Sequence, residues 1–101
     1  MTFAIVATDP GVSRQVLAET AAMMVVAFRF EAGASGALHR HPHLQASYVA
    51  AGRFTFSLDG TDHELGPGQS LIIPSGALHG CICHEAGMLI DTFAPRRDDF
   101  L

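Results

Sequence analysis

Glycine and proline punctuate this 101-residue chain at short intervals, and the segments they separate carry the marks of β-strands. Ala51-Gly52, Asp59-Gly60, Gly66-Pro67-Gly68, Pro74-Ser75-Gly76 and Ala86-Gly87 all have turn chemistry, because glycine tolerates positive φ and proline presets φ. Strands are predicted over residues 3–7, 15–19, 23–31, 45–51, 54–58, 63–65, 70–73, 79–84 and 88–93, each rich in β-formers or alternating in polarity. Nothing has the period of a long amphipathic helix. Many short strands with this punctuation predict an all-β sandwich or jelly-roll barrel.

Strand faces locate a core. Met24, Val26, Phe28 and Phe30 form one apolar stripe. Met23, Val25 and Ala27 make the opposite face apolar as well, so a partner chain or the amino-terminal strand should cover it, and a homodimer is expected. Phe54, Phe56 and Leu58 alternate with polar residues and are expected in the core.

Length and charge narrow the class. Residues 1–101 are expected to form a single domain, with the barrel over about 14–93 and a tail over 94–101. Lys+Arg 6 against Asp+Glu 10 gives a net charge of -4, which offers no basic surface for nucleic acid. The positive residues are all arginines, so lysine Schiff-base chemistry is excluded. No apolar segment is long enough to cross a bilayer and no basic-apolar leader opens the chain, so the expected location is cytoplasmic.

The candidate chemistry lies in two spaced patterns. Gly33, His39, His41, Gln45 and Gly52 form the first; Gly68, Pro74, Gly76 and His79 form the second. On an extended strand His39 and His41 share a face, and His79 follows a turn where a new strand should begin. Three imidazoles and the Gln45 amide oxygen can make an open metal site. His63 and His84 are expected on the surface, and Pro42 leaves the direction of His43 unfixed. Cys81 and Cys83 alternate with His79, so both are expected as free thiols facing the same cavity.

These two patterns resemble the two sequence motifs of the cupins, with Gln45 where glutamate is usual and Cys83 where asparagine is usual. The resemblance implies the cupin-type double-stranded β-helix, a jelly-roll barrel, with His39, His41, Gln45 and His79 holding one divalent metal ion: Ni, Zn, Fe, Mn or Co. The stretch from His39 to Gln45, together with the tail from Asp91 to Leu101, is similar to the small cupins of pectin and alginate degradation. That group converts 4,5-unsaturated monouronates into linear keto sugars, and its Asp-x-Phe-x3-Arg signature falls on Asp91, Phe93 and Arg97.

The residues allow a mechanism. None of the four proposed ligands is anionic, so the ion keeps its charge and can polarise a carboxylate or carbonyl oxygen of a sugar-acid substrate. Asp91 and Phe93 share a face of the last strand, where the carboxyl can move a proton beside an aromatic wall. Arg97 can clamp the substrate carboxylate. Two alternatives stay open at this point: an iron(II) cupin dioxygenase, and a non-catalytic barrel that binds or senses a small ligand.

Overall fold

The computed structural model describes residues 3–101. Its strands are β1 (Val6–Ala7), β2 (Val12–Thr20), β3 (Met23–Phe30), β4 (Ser35–His39), β5 (Leu44–Leu58), β6 (Thr61–Leu65), β7 (Ser70–Ile73) and β8 (His79–Ala94), followed by a short 3-10 helix, Asp98–Phe100. The hydrogen-bonded order is β1-β2-β3-β8-β5-β6, with β4 also on β8 and β7 also on β5. Every pairing is antiparallel. This is the jelly-roll barrel expected of a cupin.

Two long strands organise the barrel. β5 and β8 pair with each other along nearly their whole length. The carboxyl-terminal half of β8 also pairs with β3 and its amino-terminal half with β4, while β5 takes β7 at one end and β6 at the other. Each long strand therefore serves both faces of the jelly roll into which the eight-stranded sheet folds, the larger sheet carrying β1, β2, β3 and β7 and the smaller β4 and β6. The crossover lies where the β5–β8 register slips, between Val49 and Phe54. Gly52 there has φ 84, and a Cβ on Gly87 would fall 2.0 Å from the Ala51 carbonyl oxygen. Only glycine allows the backbones to approach this closely.

The nine expected strands differ from the observed ones in several ways. Residues 45–51 and 54–58 are one strand, β5, and residues 79–84 and 88–93 are one strand, β8. Gly52 and Gly87 bend these strands as bulges instead of ending them. The third difference is β4, which was not anticipated: its small residues have low strand propensity, and pairing with β8 makes it a strand. β2 also begins three residues earlier than expected, at Val12.

The inward stripes form the core. Phe30, Val49, Phe54, Phe56, Cys83 and Leu89 cluster with Val12, and Phe30 meets Phe54 edge-to-face at 5.2 Å. Val16, Met24, Val26 and Phe93 form a second cluster nearer the tail. Each such large side chain contributes about 1.5–3 kcal/mol by leaving water.

The outward face of the larger sheet is also apolar. Register places Val25, Thr92, Ala46 and Ile72 in one row across β3, β8, β5 and β7. Ala27, Ile90 and Tyr48 lie in the next. Met23, Leu44, Tyr48 and Ile72 are 50%, 49%, 47% and 60% exposed. β1 does not lie over this face; it pairs with β2 at the sheet edge. Among the described residues no helix is long and apolar enough to cross a membrane.

Candidate metal centre and cavity

His39 ends β4 and His79 opens β8, where the two residues are direct register partners. His41 lies beyond the end of β4 and not within it, yet its backbone still returns the ring to the same side. The ring centroids are 4.3 Å apart for His39 and His79, 4.9 Å for His41 and His79, and 5.5 Å for His39 and His41. One ligand atom from each lies within 4.8 Å of the others, so the three histidines are positioned to bind a metal.

Each ring is held from behind. Nδ1 of His39 meets the Ala37 carbonyl at 2.8 Å, Nδ1 of His41 the His43 carbonyl at 3.0 Å, and Nδ1 of His79 the Ala77 carbonyl at 2.9 Å. A carbonyl can only accept, so each Nδ1 carries the proton and each Nε2 offers a lone pair. Such backing bonds fix tautomer and orientation in metal-binding histidines. Nε2 of His79 is buried and has no hydrogen-bond partner among the described residues. Burial also lowers the pKa of His41 and of His79, which favours the neutral, ligating form.

Gln45 completes the set. Its amide nitrogen donates to the Ser47 hydroxyl at 2.9 Å and to Asp91 Oδ2 at 3.3 Å. The oxygen is thereby turned toward His41, with Oε1 2.9 Å from Nε2. With the His41 proton on Nδ1, these are two lone-pair atoms face to face. A cation beside both resolves that contact, so the residues present fit a divalent ion.

Asp91 lies one strand away. It pairs with Ser47, while Gln45 pairs with Phe93, so Gln45 and Asp91 are diagonal neighbours on one face. Burial pushes the Asp91 carboxyl up to about 7, with the Ser47 hydroxyl pulling the other way. Its Oδ1 is buried without a hydrogen-bond partner.

These groups border a cavity of about 280 Å³ whose wall includes His39, His79, Gln45, Asp91, Phe93 and Arg97. Its size suits one small ligand, not a polymer segment. Phe93 stands edge-on to His41 at 5.7 Å, and the Arg97 guanidinium lies 5.4 Å from the Phe93 centroid. Six of the expected site residues thus share the cavity wall, and the seventh, His41, packs beside it against Phe93. Cys81 lines the cavity, and burial pushes its thiol up to about 12, so it is not a thiolate. Cys83 departs from expectation. It packs in the core with Phe54, and its thiol donates to the Glu85 carbonyl at 3.0 Å, although both cysteines are free.

Three neighbours escaped the sequence reading. Ser47 follows Gln45 at the i+2 spacing that shares its face, a signal that was available. Arg14 interrupts the inward apolar stripe of Val12 and Val16, which was also visible. Phe100 had no such signal; the tail folds it back onto Phe93 at 5.7 Å.

Known proteins share this architecture. A KdgF from Halomonas sp. superposes with a TM-score of 0.94 at 35% identity, covering 100% of this chain and 98% of that one. An RmlC-like cupin from Shewanella frigidimarina NCIMB 400 gives 0.94 at 39% identity, covering 98% and 89%. Pectin degradation protein KdgF of Dickeya dadantii (strain 3937) is 38% identical over 93 residues, 90% of this chain and 84% of that protein. Residues 26–93 match the cupin domain family, and the chain belongs to that family.

Proposed function

We propose that this protein opens the ring of a 4,5-unsaturated uronate monomer and converts it to the linear keto sugar, with one divalent ion. The observation that carries the reading is Asp91, a buried carboxyl pushed up to about 7 on the cavity wall beside the metal ligand Gln45. Similarity to a pectin degradation protein supports the substrate class, since pectin is built of uronates.

Bound at His39, His41, Gln45 and His79, the ion supplies Lewis-acid polarisation of a substrate oxygen, at full charge because no ligand is anionic. The proton of the C1 hydroxyl passes to the ring oxygen as the C1 bond to that oxygen breaks, leaving an aldehyde at C1 and an enol at C5. The enol then gains a proton at C4 and loses one from oxygen, so mass is unchanged. A carboxyl that holds its proton near neutrality is suited to deliver the proton at carbon. Phe93 forms the wall beside it, and Arg97 adds positive charge for the substrate carboxylate.

The working unit in this reading is a homodimer that covers the apolar rows around Val25 and Tyr48 with a second copy. Metal-loaded protein given 4,5-unsaturated galacturonate, or its alginate-derived counterpart, is expected to speed the loss of double-bond ultraviolet absorbance and yield a product of equal mass. A rate equal to the spontaneous one for both sugars would overturn the reading.

A further inference from the structure

Arg14 is a second cation of the cavity. It points inward from β2, paired with Phe28 of β3, and lines the same space as Asp91 and Gln45. Its guanidinium carbon stands 4.1 Å from the Phe100 ring centroid, and that of Arg97 stands 4.3 Å from the same ring. One aromatic ring therefore orients both cations.

The two arginines differ in what else they hold. Arg97 gives Nε and Nη2 to the Asp99 carboxylate at 3.0 and 2.9 Å, which occupies the edge an arginine would use to grip a carboxylate bidentately. Arg14 makes no hydrogen bond or ion pair with any described residue. Asp9 and Asp91 also line the cavity, and neither pairs with it. An anion entering the cavity thus meets one cation whose bidentate edge is already taken and one whose fork no described residue occupies. β3 alone separates β2 from β8, and Arg14 lies in the row of Phe28 and Leu89, two residues along from Asp91, so the backbones of Arg14 and Asp91 are roughly 12 Å apart. A single ligand can bridge from the anion-binding end to the proton-moving end.

We propose that Arg14 is the carboxylate anchor of this cavity, taking the carboxylate of a monomeric sugar acid through two parallel N–H···O bonds. Arg97, through Phe100, holds the anchor in position and adds charge at the rim. The inference rests on the uronate reading for the identity of the ligand, but not for the presence of an anion site.

Calorimetry with galacturonate and with neutral galactose, on metal-loaded protein, tests the anchor without catalysis. Arg14→Gln is expected to weaken galacturonate binding about 10–100-fold, the effect of losing a charged hydrogen-bond pair, and to leave galactose binding and metal content unchanged. Galacturonate affinity within twofold of wild type would overturn the proposal. Should Arg14→Gln not fold, the wild-type Arg14 Nε–H resonance decides: it is expected to move on adding galacturonate and not galactose, and an unmoved signal removes the anchor. Wild-type protein that binds galacturonate through Arg14 but leaves the unsaturated uronates unchanged keeps the anchor and removes the reaction. Turnover of those uronates with wild-type KM in Arg14→Gln keeps the reaction and removes the anchor. Wild-type protein that binds no galacturonate also removes it.

Discussion

Gln45 and Asp91 are tied across neighbouring strands, the Gln45 amide nitrogen donating to Asp91 Oδ2 at 3.3 Å. The bond turns the Gln45 oxygen toward His41 and leaves Asp91 Oδ1 without a partner. One contact thus aims the amide oxygen of the proposed fourth ligand and leaves a carboxyl oxygen open to the cavity.

Replacing Asp91 separates those roles. Asp91→Asn keeps an acceptor for Gln45 and removes the transferable proton. Turnover of the unsaturated uronate is expected to fall about 10²–10⁴-fold, with metal content by elemental analysis unchanged. Loss of metal together with activity would make Asp91 a support for Gln45 and not a proton donor.

The same carboxyl sets a pH dependence of stability. Its folded pKa, about 7, lies above the ordinary 3.8, so between those values the folded protein holds a proton that the unfolded chain has released. Stability from this group is therefore full below about 4, declines as pH rises, and is lost above about 7. Burial of His41 and His79 acts in the opposite sense, so the comparison with Asp91→Asn isolates the carboxyl. Urea unfolding of chelator-treated protein at pH 5 and pH 8 is expected to show a larger loss in wild type than in Asp91→Asn. Equal losses would place the Asp91 pKa near its ordinary value.

His79→Ala removes a buried lone pair that no described residue satisfies. Near-complete loss of bound divalent metal is expected, and His41→Ala should match it. Both variants keeping full metal would displace the site.

Tyr48 and Ile72 stand 47% and 60% exposed on the uncharged outer rows. Light scattering of wild type is expected to report a dimer at micromolar concentration, and Tyr48→Arg a monomer, because a charge there would be buried unpaired. A monomeric wild type would leave that face without a second copy.

The convergence of the candidate ligands was legible because strand alternation and turn chemistry are local. His39, His41, Gln45 and His79 each sit a few residues from a glycine or proline that fixes the chain's path. What escaped is non-local. Gly52 and Gly87 look like turn residues one at a time, and become bulges only because each strand presses its backbone on the other. Ser35–His39 is a strand through its pairing with β8. Phe100 reaches the cavity by a fold-back of the tail that no periodicity encodes.

The three carbonyls behind the histidine rings have a thermodynamic consequence. Because Ala37, His43 and Ala77 already hold the rings by Nδ1, little rotamer freedom remains to be lost when an ion arrives. Because burial keeps His41 and His79 in the neutral form, few protons must leave. Metal uptake near pH 7 is expected to give nearly the same calorimetric heat in phosphate-free buffers of high and low ionisation enthalpy. In the proposed metal-bound form the barrel would meet its ion already arranged, and loading would be governed by supply of the metal and not by rearrangement of the protein.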